Sequence, residues 1–428
     1  MEIGDIIRIS KGEETYEGAL IPRAELSDDD HLVVKLKDGY NIGILVTEEL
    51  TIKKTGKGSK PKFLCPPPPP KKSSLPKVVI LSTGGTIASR VDYRTGGVRP
   101  ALTANDLYSV VPELSNIAMI KTEILLSIMS ENITPKHWEK MAQQISAHIH
   151  EGTNGIVVAH GTDTIGYTAA ALSFALQNLP VPVVLVGSQR SADRPSSDAA
   201  TNLAGAVRTA ANGPFAEVVV AMHETVSDGS IIFHRGTKVR KCHTSRRDAF
   251  ESVNALPLAR LKDNTVTMLA DEYRKRDGQR RLTSKPLFDE NVALIKFHPS
   301  MNPQIIKWHV DKGIKGIVLE GTGLGHVGSQ CFADVKKAIA DDVIVSMASQ
   351  CIWGRINMNV YDTGRELLKI GVIPLADMLP ETALVKMMWA LGNTENTFEA
   401  KQLLTRNITY EFTPRSVFSQ AGGRKNES

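Results

Sequence analysis

Five consecutive prolines, Pro66 to Pro70, divide this chain. Proline has no backbone N–H and a fixed φ, so such a run enters neither a helix interior nor a central strand. It adopts extended polyproline II and acts as a semi-rigid spacer. Its flanks are basic. Lys-Lys-Thr-Gly-Lys-Gly-Ser-Lys at 53–60 leads in and Lys-Lys-Ser-Ser at 71–74 leads out, which keeps the segment solvated. We therefore assign 61–77 as a linker. It separates a short module, 1–60, from the bulk of a 428-residue chain. At ~100–200 residues per domain, that bulk holds two domains.

The short module reads as β. Apolar runs at 6–9, 18–21, 31–36 and 41–46 are separated by turn residues at 11–12, 27–30 and 37–39. Asp38-Gly39 between two such runs is a hairpin signal. The spacing predicts a small all-β barrel of SH3-like type. It carries no catalytic constellation, so it is either a docking or RNA-facing module or an inert stabilising one.

Beyond the linker, strand and helix signals alternate. Strand candidates fall at 78–82, 120–126, 155–159, 181–187 and 217–222. One helix starts at Thr134 as N-cap with Pro135 in the first position, and puts Trp138, Met141, Ile145 and Ile149 on one face. A second starts after Asp163 and stops before Pro180. Repeated β-α-β units predict a largely parallel sheet with helices on both faces. Residues 226–262 are polar and rich in Lys and Arg, and 271–284 form a charged connector. The alternation resumes near 293–295, 317–319, 343–345 and 372–373. The expected fold is α/β: a first domain over 78–284 and a smaller one over 285–410. A polar arm over 411–428 follows.

Two strand ends carry chemistry. The run 78–82 enters Thr83-Gly84-Gly85-Thr86, and the run 155–159 enters His160-Gly161-Thr162-Asp163-Thr164. Ligands of open α/β sheets bind beyond the carboxyl ends of strands, so Thr86 and Thr162 stand where chemistry is expected. Helix capping is the alternative role for Thr86 and for Asp163. A hydroxyl nucleophile needs a base. The run Lys238-Val239-Arg240-Lys241 offers lysines for that task, or is a solvated basic loop. Neither a Gly-x-Ser-x-Gly elbow, a phosphate-binding loop nor an HExxH pattern occurs. The four cysteines are far apart, without a CxxC pair, which argues against structural zinc and disulfide scaffolds. No apolar run reaches the ~18 residues of a membrane span, and no leader is visible, so a reducing cytoplasm is expected. A net charge of +5 permits an acidic partner such as RNA without demanding one.

The segments Ser-Thr-Gly-Gly-Thr-Ile-Ala-Ser at 82–89 and His-Gly-Thr-Asp-Thr-Ile at 160–165 resemble the two signature segments of the L-asparaginase family of threonine amidohydrolases. The resemblance continues through Gly187-Ser188-Gln189-Arg190, residues 243–254 and the second α/β domain, covering about 77–410. It implies an asparaginase-like two-domain core. Bare asparaginases lack the β module and the proline linker. With both, the chain is similar to the asparaginase-like subunits of archaeal tRNA-dependent amidotransferases. That implies a glutaminase delivering ammonia to a partner, the E-type subunit of such complexes, which converts Glu-tRNA(Gln) to Gln-tRNA(Gln). The resemblance implies no cofactor on this chain, ATP and Mg on the partner, and a homodimer within a heterotetramer.

The resemblance also implies roles. Thr86 is a nucleophile, or one of two threonines touching the scissile amide. Thr162, Asp163 and Lys241 form a triad of hydroxyl, orienting carboxylate and activating lysine. Tyr93 assists Thr86. Ser130 and Glu131 grip the α-amino and α-carboxyl ends of the substrate, since a carboxylate suits an ammonium group. Backbone N–H groups of Gly85 and Gly161 face the oxyanion. Where bare asparaginases carry an Asn-Gly pair that completes a neighbouring protomer's site, this chain has Glu-Gly-Thr-Gly-Leu-Gly-His at 320–326, without asparagine. Two other readings remain: a free-standing asparaginase, and a non-catalytic RNA-binding subunit motivated by the basic stretch 274–281.

Overall fold

A computed structural model describes residues 1–12, 14–21, 30–36, 41–57, 74–84, 89–91, 98–100, 112–190 and 197–415. The proline run, the Asp38-Gly39 turn, Gly85, Thr86 and Tyr93 lie outside the described residues. The N-terminal module contains β1 (Asp5–Lys11), β2 (Glu14–Ile21), β3 (His31–Leu36), β4 (Asn41–Leu45) and β5 (Thr51–Lys57). They form one antiparallel sheet in the order β4-β3-β2-β1-β5. Alternation sends Ile7, Ile9 and Val34 to a small core. The basic residues 53–57, read as the lead-in to the linker, instead belong to β5, which pairs with β1. Their lysines occupy an edge strand, where charge discourages further pairing.

The first α/β domain runs β6 (Lys77–Ser82), β7 (Met119–Ile124), α1 (Pro135–His150), β8 (Gly155–Ala159), α2 (Ile165–Ala175), β9 (Val183–Val186), α3 (Ala199–Asn212) and β10 (Val218–His223). Next come β11 (Ser230–Arg235), a short hairpin of β12 (Val239–Lys241) and β13 (Phe250–Ser252), then β14 (Ala259–Lys262) and β15 (Thr265–Met268). Apart from β12 and β13, these strands form an eight-stranded sheet in the order β15-β14-β11-β10-β9-β8-β6-β7. The five strands from β10 to β7 are parallel. The other three are antiparallel, so the stretch 226–262, read as polar, extends the sheet. Its apolar run Ile231-Ile232-Phe233 is buried there.

Alternation along the parallel strands feeds two cores. Val79, Leu81, Ile156 and Val158 face α1 and α2, while Val78, Ile80, Val157 and Ala159 face α3. Trp138, Met141, Ile145 and Ile149 of α1 are all buried on the first side. The His137 ring Nδ1 accepts the Thr134 N–H at 3.0 Å and closes the start of that helix.

The charged connector is not a free basic arm. Arg276 donates to the carbonyls of Asn154, Ala210 and Gly213, and Arg280 to those of Leu179 and Lys275. The Asn154, Leu179 and Gly213 carbonyls lie on the segments leading into β8, β9 and β10, so the connector packs at the amino edge of the sheet, away from the strand ends that carry the motifs. Burial pulls the Arg276 pKa down.

The second domain holds β16 (Val292–Lys296), α4 (Gln304–Asp311), β17 (Gly316–Gly321), α5 (Phe332–Ala340), β18 (Ile344–Ser349), α6 (Asp362–Ile370), β19 (Ile373–Pro374), α7 (Pro380–Gly392) and α8 (Thr397–Thr405). Its four strands are parallel, in chain order. Helix α7 packs on α2, and Phe174 stacks on Trp389 at 5.7 Å. Residues 411–415, expected as the start of a loose arm, close the seam between the domains. Glu411 is fully buried against Lys386 and accepts the N–H groups of Ile408 and Thr409. Arg235 covers the Tyr410 ring at 4.1 Å. Among the described residues, no helix is long and apolar enough to cross a membrane.

Candidate active site

The crevice between β6 and β8 is a switch point, because β6 leads towards β7 on one side and β8 towards β9 on the other. The two motifs leave it side by side. Ser82 is in register with Ala159, and the Thr83 N–H and Oγ1 both donate to the Ala159 carbonyl at 3.0 Å. The first motif is thus fixed to the second up to Thr83.

Thr162, Asp163 and Lys241 meet at the end of β8. Lys241 Nζ donates to Thr162 Oγ1 at 2.9 Å and to Asp163 Oδ1 at 2.8 Å. The lysine is 79 positions away from Thr162 in sequence and arrives on β12. Its side chain is 15% exposed and that of Asp163 69%, so a mostly buried lysine meets a carboxylate that faces outward. Lys241 is therefore the member of its basic run that is engaged at a hydroxyl. Lys238 is buried elsewhere, on Asp377.

Gly161 sits against Ser130. A Cβ on Gly161 would lie 2.8 Å from the Ser130 Cβ, so only glycine permits this approach. Ser130 is buried, and its carbonyl accepts the Thr164 hydroxyl at 2.7 Å. Glu131 follows on a short 3-10 turn and is exposed. The structure so brings Ser130, Gly161, Thr162, Asp163 and Lys241 together, with Glu131 at the margin.

Several supporting residues have a role that the sequence does not assign. His160 is fully buried, and burial pushes its pKa down to about 4. Its Nδ1–H donates to the Gly161 carbonyl at 2.7 Å, so Nε2 accepts the Thr168 hydroxyl at 2.9 Å. Thr168 Oγ1 in turn accepts the Trp138 Nε1–H at 3.0 Å. This chain of bonds fixes the tautomer and the Gly161 peptide just before Thr162. Gly187 backs the threonine itself, since a Cβ there would meet Thr162 Cγ2 at 2.7 Å. Asn202 Nδ2 donates to the Gly187 carbonyl at 3.0 Å, and Asp198 accepts the N–H groups of Gln189 and Arg190 at 3.0 and 2.9 Å. A histidine opening a strand-end motif and a glycine ending the next strand are the available signals. Neither marks a role without the packing.

This architecture is that of the asparaginase-type amidohydrolases. Residues 77–274 match the family described as Asparaginase, N-terminal, and residues 291–404 the Glutaminase/Asparaginase C-terminal domain. The structure resembles the thermostable L-asparaginase from Thermococcus kodakarensis at TM-score 0.71 and 34% identity, covering 79% of this chain and 100% of that one. It resembles L-asparaginase I from Vibrio cholerae at TM-score 0.69 and 28% identity, covering 79% and 100%. Residues 1–54 match the GatD N-terminal domain. Over 97% of its length the chain is 51% identical to the D subunit of glutamyl-tRNA(Gln) amidotransferase from Pyrococcus furiosus, covering 95% of that protein. The same protein from Methanothermobacter thermautotrophicus is 49% identical over 99% of this chain and 97% of its own. The chain belongs to the GatD family of glutamyl-tRNA(Gln) amidotransferase subunits.

Proposed function

We propose that this chain hydrolyses glutamine through a threonyl ester and delivers the ammonia to an E-type partner, which amidates Glu-tRNA(Gln) with ATP and Mg held on that partner. The observation that carries the reading is Lys241 Nζ within hydrogen-bond reach of both Thr162 Oγ1 and Asp163 Oδ1. A threonine hydroxyl attacks the side-chain amide carbon, Lys241 takes the hydroxyl proton, and the proton returns to the leaving nitrogen as ammonia departs. Water then cleaves the ester. Asp163 orients the lysine. Thr86, two positions beyond Gly84, supplies the second hydroxyl, and Tyr93 assists it. The Gly85 and Gly161 N–H groups bind the oxyanion. Ser130 and Glu131 hold the amino-acid end of the substrate. The site uses no metal or organic cofactor, and the chain works in the cytoplasm as a homodimer within a heterotetramer.

The test is reconstitution with the partner and Glu-tRNA(Gln). Thr162→Val should support amidation from added ammonium but not from glutamine. A variant that still uses glutamine removes Thr162 from the chemistry, and a wild-type complex that cannot use glutamine removes the function.

A further inference from the structure

Lys241 arrives on a hairpin that the second domain holds from outside. Strands β12 and β13 have three residues each, and isolated two-stranded ladders are marginal. Val239 and Phe250 pack into the core and Ser252 Oγ lies 2.8 Å from His234 Nδ1, and residues bracketing the hairpin add a second set of constraints from the other domain. The Thr237 carbonyl accepts the Thr382 hydroxyl at 3.0 Å. Lys238, fully buried, donates to Asp377 Oδ2 at 2.8 Å and to the Asp377 carbonyl at 3.2 Å. Arg240 Nε lies 3.0 Å from Glu381 Oε1. On the return side, Asn254 Nδ2 donates to the Asp377 carbonyl at 3.2 Å, and Asn254 Oδ1 accepts the Gly354 N–H at 2.8 Å. Between them, the Val253 N–H donates to the Lys238 carbonyl at 2.8 Å and extends the ladder past β12.

Asp377 is itself held. It accepts the Thr413 N–H at 3.0 Å and the Thr413 hydroxyl, with Arg355 Nη2 at 3.8 Å. Asp377 and Glu381 flank Pro380, where α7 begins. That helix packs on α2, which starts two positions after Asp163. The partners of Lys241 and the anchors of its hairpin are therefore referenced to one helix pair.

Resting on the reading of Lys241 as the activating base, we propose that Asp377 and Glu381 are positioning residues for amide hydrolysis. Acting through Lys238 and Arg240, they fix the strand that presents Lys241 Nζ to Thr162 and Asp163. The second domain thereby sets the activity of a site built from the first.

The experiment is steady-state glutamine hydrolysis by the full-length chain across pH. The variants are Glu381→Gln, Asp377→Asn, Arg240→Glu and the swapped pair Arg240→Glu with Glu381→Arg, with Lys241→Met as reference. Glu381→Gln and Asp377→Asn should each lower kcat by about tenfold or more with KM within about twofold, as expected when a reacting group is displaced but substrate binding is kept. The pH profile of kcat should shift in both. The swapped pair should recover most of the activity lost in Arg240→Glu. The Arg240–Glu381 pair is partly exposed, so its variants decide the matter even if Asp377→Asn does not fold. Wild-type kcat and pH profile in Glu381→Gln, with Lys241→Met inactive, would overturn the positioning role and leave the base assignment standing. An active Lys241→Met would overturn the base assignment instead.

Discussion

His160 shows how a single buried side chain orders its surroundings, through the Gly161 carbonyl and the Thr168 hydroxyl. It stays neutral because no charge compensates its burial, and its pKa falls from the ordinary 6.5 to about 4. His234, also buried, falls likewise to about 4. In the unfolded chain both take a proton below pH 6.5, so the unfolded state binds more protons between about 4 and 6.5. Their contribution is complete above pH 6.5 and is lost as pH falls towards 4, on the order of 3 kcal/mol each at most. Denaturant titrations at pH 7 and pH 5 should show the loss, and His160→Gln should flatten it. Equal stability at both pH values would contradict the neutral assignment. The identities of Thr162 and Asp163 are legible in the sequence because they adjoin in one strand-end motif. The choice of Lys241 over Lys238 and Arg240 rests, at the level of sequence, on resemblance alone. Its partner is 79 positions away, and local pattern carries no information at that distance.

At the scale of elements, apolar runs locate the parallel strands well, since strands buried on both faces are continuously apolar. The antiparallel edge is hidden because lysines and arginines around Ile231-Ile232-Phe233 dominate the average over 226–262. The connector at 271–284 is deceptive for a related reason: a guanidinium bound to loop and helix-end carbonyls looks, in sequence, like one facing solvent. Arg276→Ala should therefore destabilise the chain by about 1–3 kcal/mol through unpaired carbonyls. It should leave the salt dependence of tRNA binding by the complex unchanged. A reduced salt slope would instead place Arg276 on phosphate. The turn after β9 makes a separate prediction. Gly187→Ala puts a methyl against Thr162 Cγ2, and kcat should fall about tenfold or more while the fold persists. An unchanged kcat would show that Thr162 needs no backing there.

For the whole molecule, the seam between the α/β domains matters most. Lys386 and Glu411 are both fully buried, and Lys238 pairs with Asp377 nearby. Burial lowers the pKa of each lysine, and the opposing carboxylate counters it. Removing one partner of a buried pair strands a charge, so Lys386→Met should cost about 3–5 kcal/mol in chemical denaturation. A loss below about 1 kcal/mol would mean that Glu411 finds water or a proton instead. Local pattern holds no hint of this closure, because Glu411 lies in an aperiodic polar stretch and its partner Lys386 sits on a helix separated from it by α8. The division into a β module and an asparaginase-like body is, by contrast, readable from the prolines and two motifs.

Thr162, Asp163 and Lys241, proposed as the activating set of a glutaminase, stand or fall together. The most direct measurement is the initial rate of ammonia release from glutamine by purified Thr162→Val and Lys241→Leu chains whose circular dichroism and melting match wild type. A fall of about a hundredfold or more is expected in each. Near-wild-type turnover in either would contradict the assignment.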